Sequence, residues 1–102
     1  MNFFSTLSLS ALLLSSPALV MANSNLQNGE KIFRQCAMCH GKSAENSAFN
    51  ESRIIRNLKE TEIVTALKDR KAGKVIGGGN GVKARLSEQD MRDVAAFIQT
   101  LK

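Results

Sequence analysis

Three features of this 102-residue sequence predict an all-α fold: three segments whose apolar residues recur at helical spacing, start and stop residues at their ends, and no run of alternating apolar and polar residues long enough for a sheet. The elements follow in chain order. Residues 1–22 carry no charged side chain, run apolar from Leu7 to Leu14, and pass Pro17 to end in Val20-Met21-Ala22. That ending is the small-x-small pattern of a secretory signal peptide cut after Ala22. Its basic n-region is reduced to the chain's own amino group, so an uncleaved anchor is the alternative. Five serines, a threonine and a proline make the segment weakly apolar for that role.

Cleavage leaves residues 23–102, a single domain of 80 residues. At this size a polypeptide core supplies little net stability, and a staple or cofactor is generally needed. The first helix is predicted over Leu26–Met38, where Ile32 and Phe33 stand between Glu30, Lys31 and Arg34, and it delivers Cys36 near its end. The second covers Leu58–Ala72, with Ile63 and Leu67 four apart and Gly73 as its stop. The third covers Ser87–Leu101: Ser87 is an N-cap with Asp90 three residues on, and Met91, Val94, Ala95, Ile98 and Leu101 share one face. The second and third helices open alike, with Leu58 and Ile63 in one matching Leu86 and Met91 in the other as hydrophobic staples. Residues 41–52 and 73–85 read as loops, the second containing the run Gly77-Gly-Gly-Asn-Gly81, which reads as irregular.

All 14 Lys and Arg and all nine Asp and Glu lie in residues 23–102, a formal charge of +5. This excess serves solubility or weak steering toward an acidic partner, and the sequence does not choose between them. Nucleic-acid binding is not expected, because the basic residues are interspersed with acids and no aromatic side chains are placed to stack bases.

Cys36-Ala37-Met38-Cys39-His40 is C-x-x-C-H, the attachment pattern of haem c. Two thiols at this spacing reach two vinyl positions on one edge of a porphyrin, and the next residue brings an imidazole under the iron as proximal ligand. His40 must be neutral to ligate, and its second ring nitrogen is expected to donate to a backbone carbonyl. A thioredoxin-like disulfide would need a preceding strand, and a closed zinc site a fourth ligand; the chain supplies neither.

At these residues the chain resembles the class I cytochromes c, specifically the short bacterial monohaem kind. The resemblance spans residues 23–102 and includes Gly29-x-x-x-Phe33-x-x-Cys36 before the motif and Leu86-Ser-Glu-Gln-Asp90 opening a last helix that carries Phe97. It implies a small cytochrome c-like fold, three main helices around one covalent haem, in which first and last helices cross with Gly29 against Phe97 and Phe33 nearby. It also implies a methionine before the last helix as the sixth iron ligand. Here the chain departs from the family, since the aligned positions are Gly79 or Val82. The candidates for that ligand are Lys83, Asn80 and Met91, with Lys74 a further one. Each has a plainer role: surface charge for the lysines, a left-handed turn for Asn80, core packing for Met91. Arg53 and Arg56, flanking Ile54 and Ile55, are candidates to pair with haem propionates.

The function expected is that of a periplasmic one-electron carrier and not an enzyme, a monomer meeting redox protein partners in transient contacts, with no membrane insertion once the signal is cut. The alternative is a haem-based binder or sensor of small gases with an open or labile sixth position, to which the missing methionine points. A degenerate family member with a structural role is a third reading.

Overall fold

Asn25 starts the first helix, α1 (Leu26–Phe33), by accepting the Asn28 N–H on its side-chain oxygen at 3.0 Å. The structure is a computed structural model that describes residues 24–102; the signal peptide expected over residues 1–22 lies outside the described residues, as does Asn23. α1 does not run on to Met38 as its periodicity suggests. The N–H groups of Gln35 and Cys36 donate to the carbonyls of Ile32 and Phe33, three residues back, at 3.0 and 2.8 Å. This tightened turn ends α1 and re-aims the chain into a separate single-turn helix, α2 (Ala37–His40), which Gly41 closes at φ +90°.

Two 3₁₀ turns, Ala48–Asn50 and Ile55–Asn57, then lead to α3 (Glu60–Lys71). Glu62 reaches back to accept the Lys59 N–H at 2.8 Å at the start of α3. Gly73 ends it at φ +80°, its N–H donating to Arg70 O at 3.2 Å while the Lys74 N–H donates to Asp69 O at 2.9 Å. The next loop holds a turn of helix that its glycines did not announce, α4 (Asn80–Lys83). Gly79, at φ +81°, is the left-handed residue of this loop, and Asn80 is helical. α5 (Glu88–Gln99) begins with the expected reciprocal cap: Ser87 Oγ accepts the Asp90 N–H and Asp90 accepts the Ser87 N–H, both at 3.0 Å. No strand occurs among the described residues, so the fold is all-α.

α5 is the centre of the packing, with α1 against one side and α3 against another. Where α1 crosses α5, Gly29 lies on the Asp93 carbonyl and Phe97, so close that a Cβ on Gly29 would fall 2.8 Å from Phe97 Cβ. Phe33 and Phe97 rings meet at 5.7 Å and 49°. Both staples are in the core: Leu86, Met91 and Ile63 are buried, and Leu58 packs on them. Full burial of such side chains contributes about 1.5–3 kcal/mol each before entropy is counted. The buried carboxylate of Asp93 joins the helix starts, accepting the Asn25 N–H at 2.8 Å, Asn28 Nδ2 at 2.9 Å and Gln89 Nε2 at 2.7 Å.

Candidate functional site

The turn that ends α1 sets Cys36, and α2 sets Cys39 and His40, on the wall of a cavity of about 460 Å³. The remaining wall is largely apolar, with Ile55 from the 3₁₀ turn, Ile63 and Leu67 from α3, and Val94 and Ile98 from α5. The glycine loop 77–79 forms another side, followed by Val82 and Lys83. Phe49, held at φ +56°, joins this loop to the opposite one, since a Cβ on Gly78 would lie 3.0 Å from its ring.

The thiols of Cys36 and Cys39 are free. Burial raises the pKa of Cys36, with Lys83 pulling the other way and Cys39 adding to the rise. Burial lowers the pKa of His40, and the positive charges of Lys83 and Arg70 lower it further, so the imidazole is neutral near pH 7. Its Nδ1 is buried and has no hydrogen-bond partner. The backbone carbonyl expected to receive a ring N–H is not supplied.

Cationic side chains also reach the cavity. Arg53 borders it; Arg56 does not, because the turn that directs Ile55 inward carries its neighbour away, toward Glu45, whose ionised form it favours. Arg70, which sequence reasoning missed, does line it, with Nη1 3.4 Å from Asn80 Oδ1. Its signal was there in the spacing: Ile63, Leu67 and Arg70 fall on one helical face. Lys83 is half-buried on the wall. Burial lowers its pKa and Arg70 lowers it further, while Cys36 and Cys39 oppose the shift.

Residues 26–102 match the family described as Cytochrome c. The chain belongs to the cytochrome c family. Similar proteins include cytochrome c-553 of Helicobacter pylori strain ATCC 700392 / 26695, 34% identical over 86 residues that cover 82% of this chain and 90% of the relative. Cytochrome c-553 of Helicobacter pylori strain J99 / ATCC 700824 is 33% identical over 72 residues, covering 70% and 75%. As a c-type cytochrome the protein is an electron carrier and not an enzyme, and its cofactor is covalent haem c with its iron.

The residues fit that group. A neutral imidazole, two unpaired thiols and an apolar hollow beside them suit an iron porphyrin fixed through thioethers. The remaining ligand candidates separate clearly in this cytochrome. Met91 is 1% exposed in the core and is not on the cavity wall, because the staple places it against Leu86 and Ile63. Asn80 also stays off the wall: its Nδ2 donates to Val75 O at 2.7 Å and its Oδ1 faces Arg70. Lys74 is exposed and lies 4.0 Å from Asp69, away from the cavity. Gly79 and Val82, the positions aligned with the family methionine, are both on the wall.

Proposed function

We propose that this cytochrome c is a periplasmic one-electron carrier whose haem is held by Cys36 and Cys39, with His40 as the proximal ligand of the iron. The observation that carries this reading is the presence of all three side chains on one wall of a hollow whose other surfaces are mostly apolar. When bound, the haem supplies the ferric–ferrous couple through which an electron enters and leaves. Cys36 and Cys39 would hold it as thioethers, each thiol S–H adding across a vinyl double bond with no released product. Ile55, Ile63, Leu67, Val94 and Ile98 line the hollow and would keep water from a bound haem, limiting change around the iron between oxidation states. Arg53 and Arg70 border the cavity and are the arginines located to meet propionates, whereas Arg56 does not border it.

Export is supported by the uncharged, apolar residues 1–22 with their small-x-small ending. Among the described residues no helix is long and apolar enough to cross a membrane. Redox partners would meet the protein through small, transient contacts. Expression of the full chain alongside haem-attachment machinery tests the reading. A periplasmic protein that begins at Asn23 and keeps its haem after denaturation supports it, and loss of covalent haem in the doubly substituted Cys36→Ser, Cys39→Ser form completes the test. A mature wild-type protein without covalent haem overturns it.

A second reading, a binder of small gases, draws on the fact that no methionine lines the cavity. Carbon monoxide added to the reduced protein discriminates: rapid binding favours the second reading, and an unchanged spectrum favours the carrier.

A further inference from the structure

We propose that Lys83 Nζ is the second protein ligand of the haem iron, completing the site in place of the family methionine. The inference deepens the reading above and rests on it, since it requires the haem to be attached at Cys36 and Cys39.

Position is the first argument. Of the four side chains the sequence offers as ligands, Lys83 alone shares the cavity wall with His40. It stands next to Val82 and one helical turn after Gly79, the two positions aligned with the missing methionine, so its backbone comes from the segment the family uses for this purpose. Its N–H donates to Gly79 O at 3.2 Å, which fixes the turn that presents it.

Space is the second. A Cβ on Gly79 would lie 3.2 Å from Nζ, so the side chain folds back over the backbone of the glycine loop that borders the cavity. Any larger residue at position 79 would crowd that path, and φ +81° already restricts the position to glycine.

Lack of a competing partner is the third. The ion pairs among the described residues join Lys68 and Arg92 to Glu88, and Lys74 to Asp69; none includes Lys83. Glu51, on the same cavity wall, does not pair with it. Its charged surroundings are dominated by Arg70. No protein carboxylate among the described residues therefore holds the ammonium form in place. The neutral amine, by contrast, has a lone pair to give. On ligation Nζ releases one proton to solvent at the cavity mouth and donates that pair to iron. A nitrogen donor supports the ferric state more than a thioether does, so the potential falls below that of a methionine-ligated cytochrome c.

The matured, full-length holoprotein is compared with Lys83→Ala and Lys83→Arg by visible, near-infrared and electron paramagnetic resonance spectra of the ferric form. Covalent haem is measured first in each. Arginine keeps side-chain bulk but stays protonated and cannot ligate, so together with alanine it separates loss of the donor from loss of packing and protects the test against misfolding of the alanine form. The expected result is a low-spin wild type with two nitrogen axial ligands and high-spin forms of both variants. Carbon monoxide binding to the reduced variants should be at least tenfold faster than to wild type. A high-spin or methionine-type wild-type spectrum overturns the assignment, as does a variant that keeps the wild-type spectrum. Wild type without covalent haem instead defeats the attachment reading on which this one depends.

Discussion

Replacing Gly29 with alanine sets two known effects against each other. In a helix interior, alanine is favoured over glycine by about 1 kcal/mol. Here the added Cβ would overlap the Asp93 carbonyl oxygen and lie 2.7 Å from that carbonyl's carbon and 2.8 Å from Phe97 Cβ. Carbon atoms pack at about 3.5 Å or more, so α1 and α5 must part by roughly 0.7–0.8 Å, and a gap of that size forfeits a quarter to a half of each contact's attraction across the interface. The obstacle is backbone and cannot swing aside, which argues for the upper end of the overpacking range, about 3 kcal/mol. The net expectation is a loss of about 2 kcal/mol, with the Tm falling by roughly 8–16 °C for a domain of this size. Thermal unfolding of holoprotein followed by far-ultraviolet circular dichroism, at matched haem content, reads the change. An unchanged or raised Tm would mean that propensity outweighs the clash and that the helix crossing is looser than described.

Gly73→Ala isolates the opposite cause, since nothing lies within 4 Å of the added Cβ but φ is +80°. Urea unfolding should show a loss of about 1 kcal/mol, the cost of a left-handed residue with a side chain; no loss would show that α3 can end without that conformation. Asp93→Ala should lose about 2–3 kcal/mol by leaving three donors without their acceptor, and an equilibrium unfolding curve that matches wild type would reject the anchor. Burial raises the pKa of Asp93, but hydrogen bonds from the Asn25 N–H, Asn28 and Gln89 outweigh it and leave the pKa lowered. The unfolded chain therefore binds the proton more readily. The carboxylate's contribution is present above the ordinary carboxylate pKa of about 3.9 and disappears as pH falls through the lowered folded value. An acid titration of stability should accordingly show a steeper loss below about pH 4 in wild type than in Asp93→Ala; parallel curves would assign the loss to other groups.

The helix ends that sequence reasoning located best are those made by adjacent residues. Ser87 with Asp90 and the stop at Gly73 act within a few residues of themselves, and the Leu86–Met91 staple closes within one and a half turns. The crossing of Gly29 and Phe97 became legible through the family pattern, because nothing local in either helix specifies a partner 68 residues away. The break at Arg34–Cys36 carries no glycine or proline to mark it; it arises as the chain turns the cysteines toward the cavity wall. Likewise α4 forms inside a glycine-rich segment of poor helix propensity, and Asn80, taken as the left-handed residue, yields that role to Gly79. Met91, Asn80, Lys74 and Arg56 could not be assigned by residue type alone, since each carries a fitting functional group. What keeps them off the cavity wall is direction, which depends on how the backbone that carries them is oriented.

Among the described residues, half of the buried apolar side chains, Leu86, Met91, Val94, Ala95 and Ile98, come from residues 86–102. During synthesis α1 therefore waits until residues 86–98 have emerged before its main cover for Ile32 and Phe33 exists. The unfinished chain has no native refuge for its earliest greasy surface, and a protease that clips the tail after folding would undo the entire domain instead of trimming it.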